Sequence, residues 1–266
     1  MVMSEISDKL ACLSQLISAY KTVGIAYSGG VDSTTLAVVA CRTLGPDNVL
    51  LVHGASCLIG ERVSQEADTR IKMVVPDVRI RHLTLSVLHE PRIATNDADR
   101  CYYCKKIIFQ AFQAEIEKEN IEQLLDGTNL DDLQQDRPGL RAIRELRVHT
   151  PLAEAGLTKA DVRALARYLG LPQADTPADS CLATRIAPFT RLSPAVLQLV
   201  DTMEAHFRHM GYVGCRLRPR GTTIIVELRA ADIARCAGQD RESIRSYFLS
   251  HGFTTVLLDL QPRPAS

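Results

Sequence analysis

Five consecutive apolar residues, Val23-Gly24-Ile25-Ala26-Tyr27, run directly into Ser28-Gly29-Gly30-Val31-Asp32-Ser33. A helical pattern through Leu36, Val39, Ala40 and Leu44 follows, closed by Gly45-Pro46. An apolar run without alternation is what a strand buried on both faces requires, as in a parallel sheet covered by helices. The turn then lies at the carboxyl end of that strand, where open α/β sheets bind ligands. Gly29 and Gly30 lack a Cβ, so their backbone can close around the oxygens of an anion. The unpaired amides of the next helix and its dipole favour negative charge. The turn therefore reads as a phosphate site, with Ser28 and Ser33 as hydroxyl donors. Asp32 cannot donate to phosphate while ionised, so it is expected to hold Mg²⁺ or to cap the helix. No Gly-Lys-Ser/Thr is present, which excludes the Walker-type loop.

The same alternation continues. Residues 8–20 carry Leu10, Leu13, Ile17 and Tyr20 at helical spacing, 48–53 read as a second buried strand, and 61–74 as a helix. Residues 78–83 read as a strand, 102–119 as a long helix, and 122–126 as a fourth strand ending at Gly127. Thr158, with Asp161 three residues on, starts another helix that Gly170 and Pro172 end. Strands alternating with helices predict a doubly wound, mainly parallel α/β sheet over residues 1–185. Residues 173–192 lack periodicity and read as a functional loop and linker. Ser193-Pro194 then begins a helix to Met210. Paired strands at 213–217 and 222–228, a turn at Arg220-Gly221 and a last strand at 254–260 predict a smaller α+β domain over 193–266.

Thirty-one basic and thirty-one acidic residues cancel. A chain that grips long nucleic acid usually carries a basic excess, so no nucleic-acid partner is expected; Arg216-Leu217-Arg218-Pro219-Arg220 is the best candidate for a local patch. No signal pattern opens the chain and no apolar run approaches the ~20 residues of a membrane helix. The expectation is a cytoplasmic protein without a membrane partner, whose eight cysteines are thiols or ligands rather than disulfides.

Cys101-Tyr102-Tyr103-Cys104 falls at the expected start of a helix, and Cys181 lies in Asp179-Ser180-Cys181-Leu182-Ala183-Thr184-Arg185. Two thiols three residues apart at a helix start can face one metal, and the dipole there favours thiolate. Arg185 is placed to assist Cys181 in the same way. A structural zinc site wants four ligands, and only one Cys-x-x-Cys pair is present. A redox pair leaves Cys181 unexplained. A 4Fe–4S cluster on three thiolates leaves one iron open to sulfide. Of the other cysteines, Cys12, Cys41, Cys215 and Cys236 fit core positions, while Cys57 follows the second strand on the ligand side.

The loop Ser28–Ser33 resembles the pyrophosphate loop of the N-type ATP pyrophosphatases, and Asp126-Gly127-Thr128-Asn129 resembles a second nucleotide segment of that superfamily. With Asp99-Arg100-Cys101-Tyr102-Tyr103-Cys104-Lys105-Lys106, Asp136-Arg137-Pro138-Gly139-Leu140, Ser180–Arg185 and the strand Val256–Leu260, nearly the whole chain resembles the LarE family of ATP-dependent sacrificial sulfur transferases. The resemblance implies an adenine nucleotide alpha hydrolase-like fold, with ATP, Mg²⁺ and a small nucleotide substrate. It implies that ATP is split between its α and β phosphates and that carboxylates of pyridinium biscarboxylic acid mononucleotide are adenylated, then converted to thiocarboxylates for the nickel-pincer nucleotide.

Having Cys101 and Cys104 beside Cys181, the chain resembles the three-cysteine subgroup, which implies a 4Fe–4S cluster on these thiolates. Gly127 and Thr128 join the nucleotide site by the same resemblance. Arg137 and Arg185 are candidates for substrate phosphate or carboxylate, because arginine forks match both. The resemblance also implies a homo-oligomer, with Arg216, Arg218 and Glu227 of the smaller domain near a phosphate or metal site. Glu204 is read as ordinary solvated charge. An amide-forming synthetase, a tRNA thiolase and a non-enzymatic nucleotide-binding module remain as alternatives.

Overall fold

The computed structural model describes residues 3–135, 138–176 and 180–263. The chain divides into two compact units, one of residues 1–93 and 99–178 and the other of 94–98 and 179–266. Residues 180–185, read from sequence with the larger domain, fall within the smaller unit.

The larger unit holds a four-stranded sheet of β1 (Val23–Ala26), β2 (Val49–Ala55), β3 (Arg79–Thr84) and β4 (Leu124–Asp126). The order is β3-β2-β1-β4 and every pairing is parallel. Helices α1 (Met3–Ser18), α2 (Val31–Leu44), α3 (Glu61–Val74), α4 (Pro91–Ala94) and α5 (Arg100–Glu117) come first along the chain. Then follow α6 (Leu130–Leu133), α7 (Pro138–Glu145), α8 (Pro151–Glu154) and α9 (Lys159–Tyr168). Leu13, Ile17, Ile25, Leu36, Leu51 and Leu165 share one core, and Leu50, Val52, Phe109, Phe112 and Ile116 share another. The sheet is therefore covered on both faces, as a doubly wound fold requires. Each such side chain contributes about 1.5–3 kcal/mol on burial, and all four residues of β1 are buried, so the strand that presents the Ser/Gly loop is rigidly seated.

The order reverses at β1, which has β2 on one side and β4 on the other. The loops leaving β1 and β4 are consequently neighbours at the carboxyl end of the sheet, the position of a ligand crevice in this architecture. Gly30, in extended conformation, is the N-cap of α2 without a side-chain cap bond. Helix capping, one of the two roles expected for Asp32, is therefore not its role. At α9 the Asp161 side chain does reach back, and Thr158 and Asp161 close a full capping box.

In the smaller unit, α10 (Pro194–His209) begins where Ser193 accepts from the Val196 amide at 3.3 Å. It is followed by β5 (Arg216–Arg220), β6 (Thr223–Glu227), α11 (Ala230–Ala237), α12 (Arg241–Ser250) and β7 (Thr255–Leu258). β5 pairs antiparallel with β6, and β6 pairs parallel with β7. The first strand lies at 216–220 rather than 213–217. Pro219, which has no amide to donate, is accommodated because β5 is an edge strand. No helix among the described residues is long and apolar enough to cross a membrane.

Candidate active site

Tyr27 ties the end of β1 to its surroundings. Its amide donates to the Val52 carbonyl at 2.9 Å and its phenol to the Ala67 carbonyl of α3 at 2.8 Å. Burial pushes that phenol up to about 12. Gly29 follows with φ +76°, where a Cβ would collide with the Cβ of Ala67; only glycine lets the loop pass that close to α3. The Ser28 and Ser33 hydroxyls stand 3.1 Å apart. The Gly30 amide donates to Ser28 Oγ at 3.4 Å, and Ser33 Oγ donates to the Gly30 carbonyl at 3.3 Å. The two serines thus order the loop in addition to supplying hydroxyls.

Behind the loop, buried His53 of β2 donates from Nδ1 to the Tyr27 carbonyl at 2.8 Å. Burial pushes its imidazole below the usual histidine range; the bond to Tyr27 opposes this and neighbouring His82 reinforces it. The unfolded chain takes up a proton here near pH ~6.5 while the folded chain still resists it. The stabilisation is therefore full above that pH and is lost as pH falls below it. Melting temperature is expected to decline between about pH 7.5 and 5.5, with a flatter profile for His53→Asn; identical profiles would refute the assignment.

The β4 loop closes on the β1 loop. A Cβ on Gly127 would lie 2.9 Å from the Ser33 amide nitrogen and 3.1 Å from the Asp32 carbonyl carbon. These are backbone atoms at the start of α2 and cannot rotate away. Gly127→Ala is expected to cost about 1–3 kcal/mol and to weaken nucleotide binding about tenfold, read by calorimetric titration; unchanged affinity would show that the loops can separate freely. Asp126 Oδ1 accepts from the Thr128 amide at 2.9 Å and from its hydroxyl. Thr128 is therefore committed to ordering the turn.

Asp32 is the meeting point of three segments. Its Oδ1 accepts from Asn129 Nδ2 at 3.2 Å, and its Oδ2 is paired with Lys159 Nζ. Asn129 is also the N-cap of α6 in a complete capping box. Lys159, the first residue of α9, donates its amide to Asp131 Oδ2 at 2.8 Å. Lys159 stands 127 positions from Asp32, and its only local signal is a cation just after a helix-capping threonine.

Cys101 and Cys104 lie at the start of α5, three residues apart and so on one helical face; Cys101 is exposed and Cys104 half-buried. Arg100 Nη2 donates to Cys101 Sγ at 3.6 Å. Tyr102 donates to Glu145 of α7 at 2.7 Å, Lys106 donates to the same oxygen at 3.0 Å, and the Arg141 guanidinium lies 3.7 Å from the Tyr102 ring centroid. Lys105 follows Cys104 in α5, and its Nζ is 3.5 Å from Asp126 Oδ2. The motif around Cys101 is thus joined to the end of β4 by an ion pair that its local sequence does not announce. Arg137 lies outside the described residues.

In the smaller unit, Cys181 precedes a 3₁₀ turn, Leu182–Arg185. Arg185 is 2% exposed. Its Nε and Nη2 bind the two oxygens of Glu204 at 2.9 and 3.0 Å. Its Nη1 donates to the Ser180 carbonyl at 2.6 Å and the Cys181 carbonyl at 3.2 Å. The guanidinium expected to meet substrate instead braces the Cys181 turn. Glu204, expected to be solvated, is 2% exposed and also accepts from the Leu217 amide at 3.1 Å.

Arg218 is paired with Glu227 and donates to the Thr184 carbonyl, while Arg220 donates to the Arg185 carbonyl at 2.8 Å. Burial and the Arg218 charge lower the Arg220 pKa. Cys41, Cys215 and Cys236 are buried as expected, and burial pushes the first two thiols up to about 12. Cys12 is exposed, because it falls beside, not within, the stripe through Leu13 and Ile17 that α1 buries. Cys57 is half-buried. Among the described residues, no group of three or more His, Cys, Asp or Glu side chains is arranged to hold a metal ion.

No protein-family model matches the chain. It is 31% identical over 258 residues to an uncharacterised protein of Synechocystis, covering 96% of this chain and 95% of that one. It is 29% identical over 199 residues to a glutamine-hydrolysing GMP synthase chain of Sulfurisphaera tokodaii, covering 66% of this chain and 52% of that one. Against the pyridinium-3,5-bisthiocarboxylic acid mononucleotide synthase of Lactiplantibacillus plantarum it is 30% identical over 259 residues, covering 97% of this chain and 92% of that one. Identity at that level across nearly the full length of both proteins means that the chain belongs to the pyridinium-3,5-bisthiocarboxylic acid mononucleotide synthase family.

Proposed function

We propose that this protein is an ATP-dependent sulfur transferase that adenylates the carboxylates of pyridinium biscarboxylic acid mononucleotide and converts them to thiocarboxylates for the nickel-pincer nucleotide. The observation that carries the reading is the Lys105–Asp126 ion pair, which joins a helix start bearing two thiols to the nucleotide crevice at the strand-order reversal. An enzyme that only formed amides would not need thiols there.

ATP phosphates lie against the amides of Gly29–Ser33 and the serine hydroxyls, with the dipole of α2 behind them. Asp32 is the acid for Mg²⁺, and Lys159, its present partner, turns to the phosphates. A substrate carboxylate oxygen attacks the α-phosphorus and the bond to pyrophosphate breaks, leaving an acyl-adenylate. A sulfur nucleophile then attacks the carbonyl carbon, the bond to AMP oxygen breaks, and AMP leaves with the electron pair. Arg137 is assigned to a substrate anion, and Arg185 to holding the Cys181 turn.

Cys101, Cys104 and Cys181 are the thiols that would hold a 4Fe–4S cluster. The first two suit such a group by sharing one face of α5, and none of the three is buried. When bound by three thiolates, such a cluster has one iron open to sulfide.

Anaerobically reconstituted protein, given ATP, Mg²⁺, sulfide and the biscarboxylated nucleotide, is expected to release pyrophosphate and to replace carboxylate oxygen with sulfur, read by mass spectrometry. Amide formation with ammonia, and none with sulfide, would overturn the reading. A colourless, iron-free protein that remains active with its cysteines intact would overturn the cluster alone.

A further inference from the structure

Asn129 makes two side-chain contacts, of which a simple helix cap requires only one. Its Oδ1 accepts from the Asp132 amide at 3.1 Å and starts α6. Serine, threonine or aspartate would serve that purpose about equally well. Only the carboxamide also offers an N–H, and here Nδ2 donates to Asp32 Oδ1 at 3.2 Å. Asn129 is 2% exposed, so this donor is not shared with bulk water. Its backbone is held in turn, since the next amide, of Leu130, donates to the Leu157 carbonyl at 2.8 Å.

Among the described residues, Asp32 therefore has one neutral and one cationic partner, one on each oxygen. An ionised carboxylate has about two lone-pair sites per oxygen, so single bonds on each leave a site on both for a cation. The side chain is 23% exposed, which suits an acid that must meet a solvated ion. If the loop holds ATP as proposed above, Lys159 turns to its phosphates and no longer restrains Asp32. The Asn129 amide carries no charge and keeps its hold through that change.

We propose that Asn129 is a positioning residue: its carboxamide orients Asp32 for Mg²⁺-ATP, beyond its work as the cap of α6. The assignment rests on the reading of the loop as a Mg²⁺-ATP site.

The test uses the full chain and α,β-methylene-ATP, which cannot be cleaved at the relevant bond, titrated calorimetrically over a series of Mg²⁺ concentrations. Asn129→Ser keeps a capping oxygen and removes the amide donor. It is expected to raise the Mg²⁺ concentration for half-maximal binding about tenfold, the scale of one hydrogen bond to a charged group, with a smaller fall in melting temperature than loss of the cap brings. Asn129→Ala removes both contacts and is expected to show the same Mg²⁺ shift together with a lower melting temperature. Asn129→Thr repeats the first test if the serine variant does not fold. A serine variant that matches wild type in Mg²⁺ dependence overturns the positioning role and leaves the loop assignment standing. Wild-type protein that binds the analogue without any Mg²⁺ dependence, or not at all, overturns the loop assignment and the positioning role together.

Discussion

Cys181→Ser is expected to lower thiocarboxylate formation by at least about three orders of magnitude, on the scale of losing a group that acts as part of a reacting unit. Exchange of labelled pyrophosphate into ATP, in the presence of the biscarboxylated substrate, should stay within about threefold of wild type. The separation follows from how the turn is held. The Thr184 amide and hydroxyl donate to the Cys181 carbonyl at 3.0 and 2.8 Å, and Arg185 Nη1 approaches that same carbonyl. These bonds use backbone, so exchanging Sγ for Oγ leaves the turn in place. A hydroxyl is a far weaker nucleophile and metal ligand than thiolate at neutral pH. Loss of both partial reactions would assign Cys181 to nucleotide binding; retention of sulfur transfer within tenfold of wild type would remove it from the chemistry.

Glu204→Leu is expected to destabilise the protein by about 3–5 kcal/mol, because it leaves the Arg185 guanidinium buried without its counter-charge. The Leu217 amide loses its acceptor in the same variant. Arg185→Met is expected to cost a similar amount by stranding the carboxylate. The double variant should recover the part of that loss due to the unpaired charge, while the Leu217 amide and the Ser180 and Cys181 carbonyls stay without their partners. Its sulfur transfer should nevertheless stay low, because the bonds from Arg185 to the Ser180 and Cys181 carbonyls are gone. Urea unfolding of the four proteins gives the coupling energy directly. A single variant costing under about 1 kcal/mol, the value of an exposed pair, would show that the pair is solvated.

Cys181 is conspicuous in the chain, since a lone thiol beside Thr184-Arg185 in a proline-rich segment without periodicity has no core role to fill. Glu204 carries no such mark. It falls within the amphipathic pattern of α10, and an acidic residue there is ordinarily solvated. Its burial is decided by Arg185 and the Leu217 amide, which reach it from 19 and 13 positions away. Cys12 shows the converse. A cysteine in an apolar helix pattern reads as core, yet one position of offset, about 100° around a helix, is enough to expose it. The β5 strand differed from expectation for a related reason. Pro219 argues against a strand locally, and only the edge position of β5 makes it acceptable.

Within the larger unit, the features around the loop were readable, whereas the short helices α4, α6, α7 and α8 were not: a buried strand, a glycine turn and a helix start are set by neighbours in the chain, so the Ser28–Ser33 loop and its position at a strand end follow from local pattern. The sequence alone determined that a glycine turn there leaves a buried strand and enters a helix. The tertiary structure decided what surrounds it. Placing β4 beside β1 packs Gly127 against the Ser33 backbone, brings Asn129 and Lys159 to Asp32, and pairs Lys105 of α5 with Asp126. Those pairings depend on strand order and helix packing, which join residues far apart in the chain, and no local periodicity encodes them.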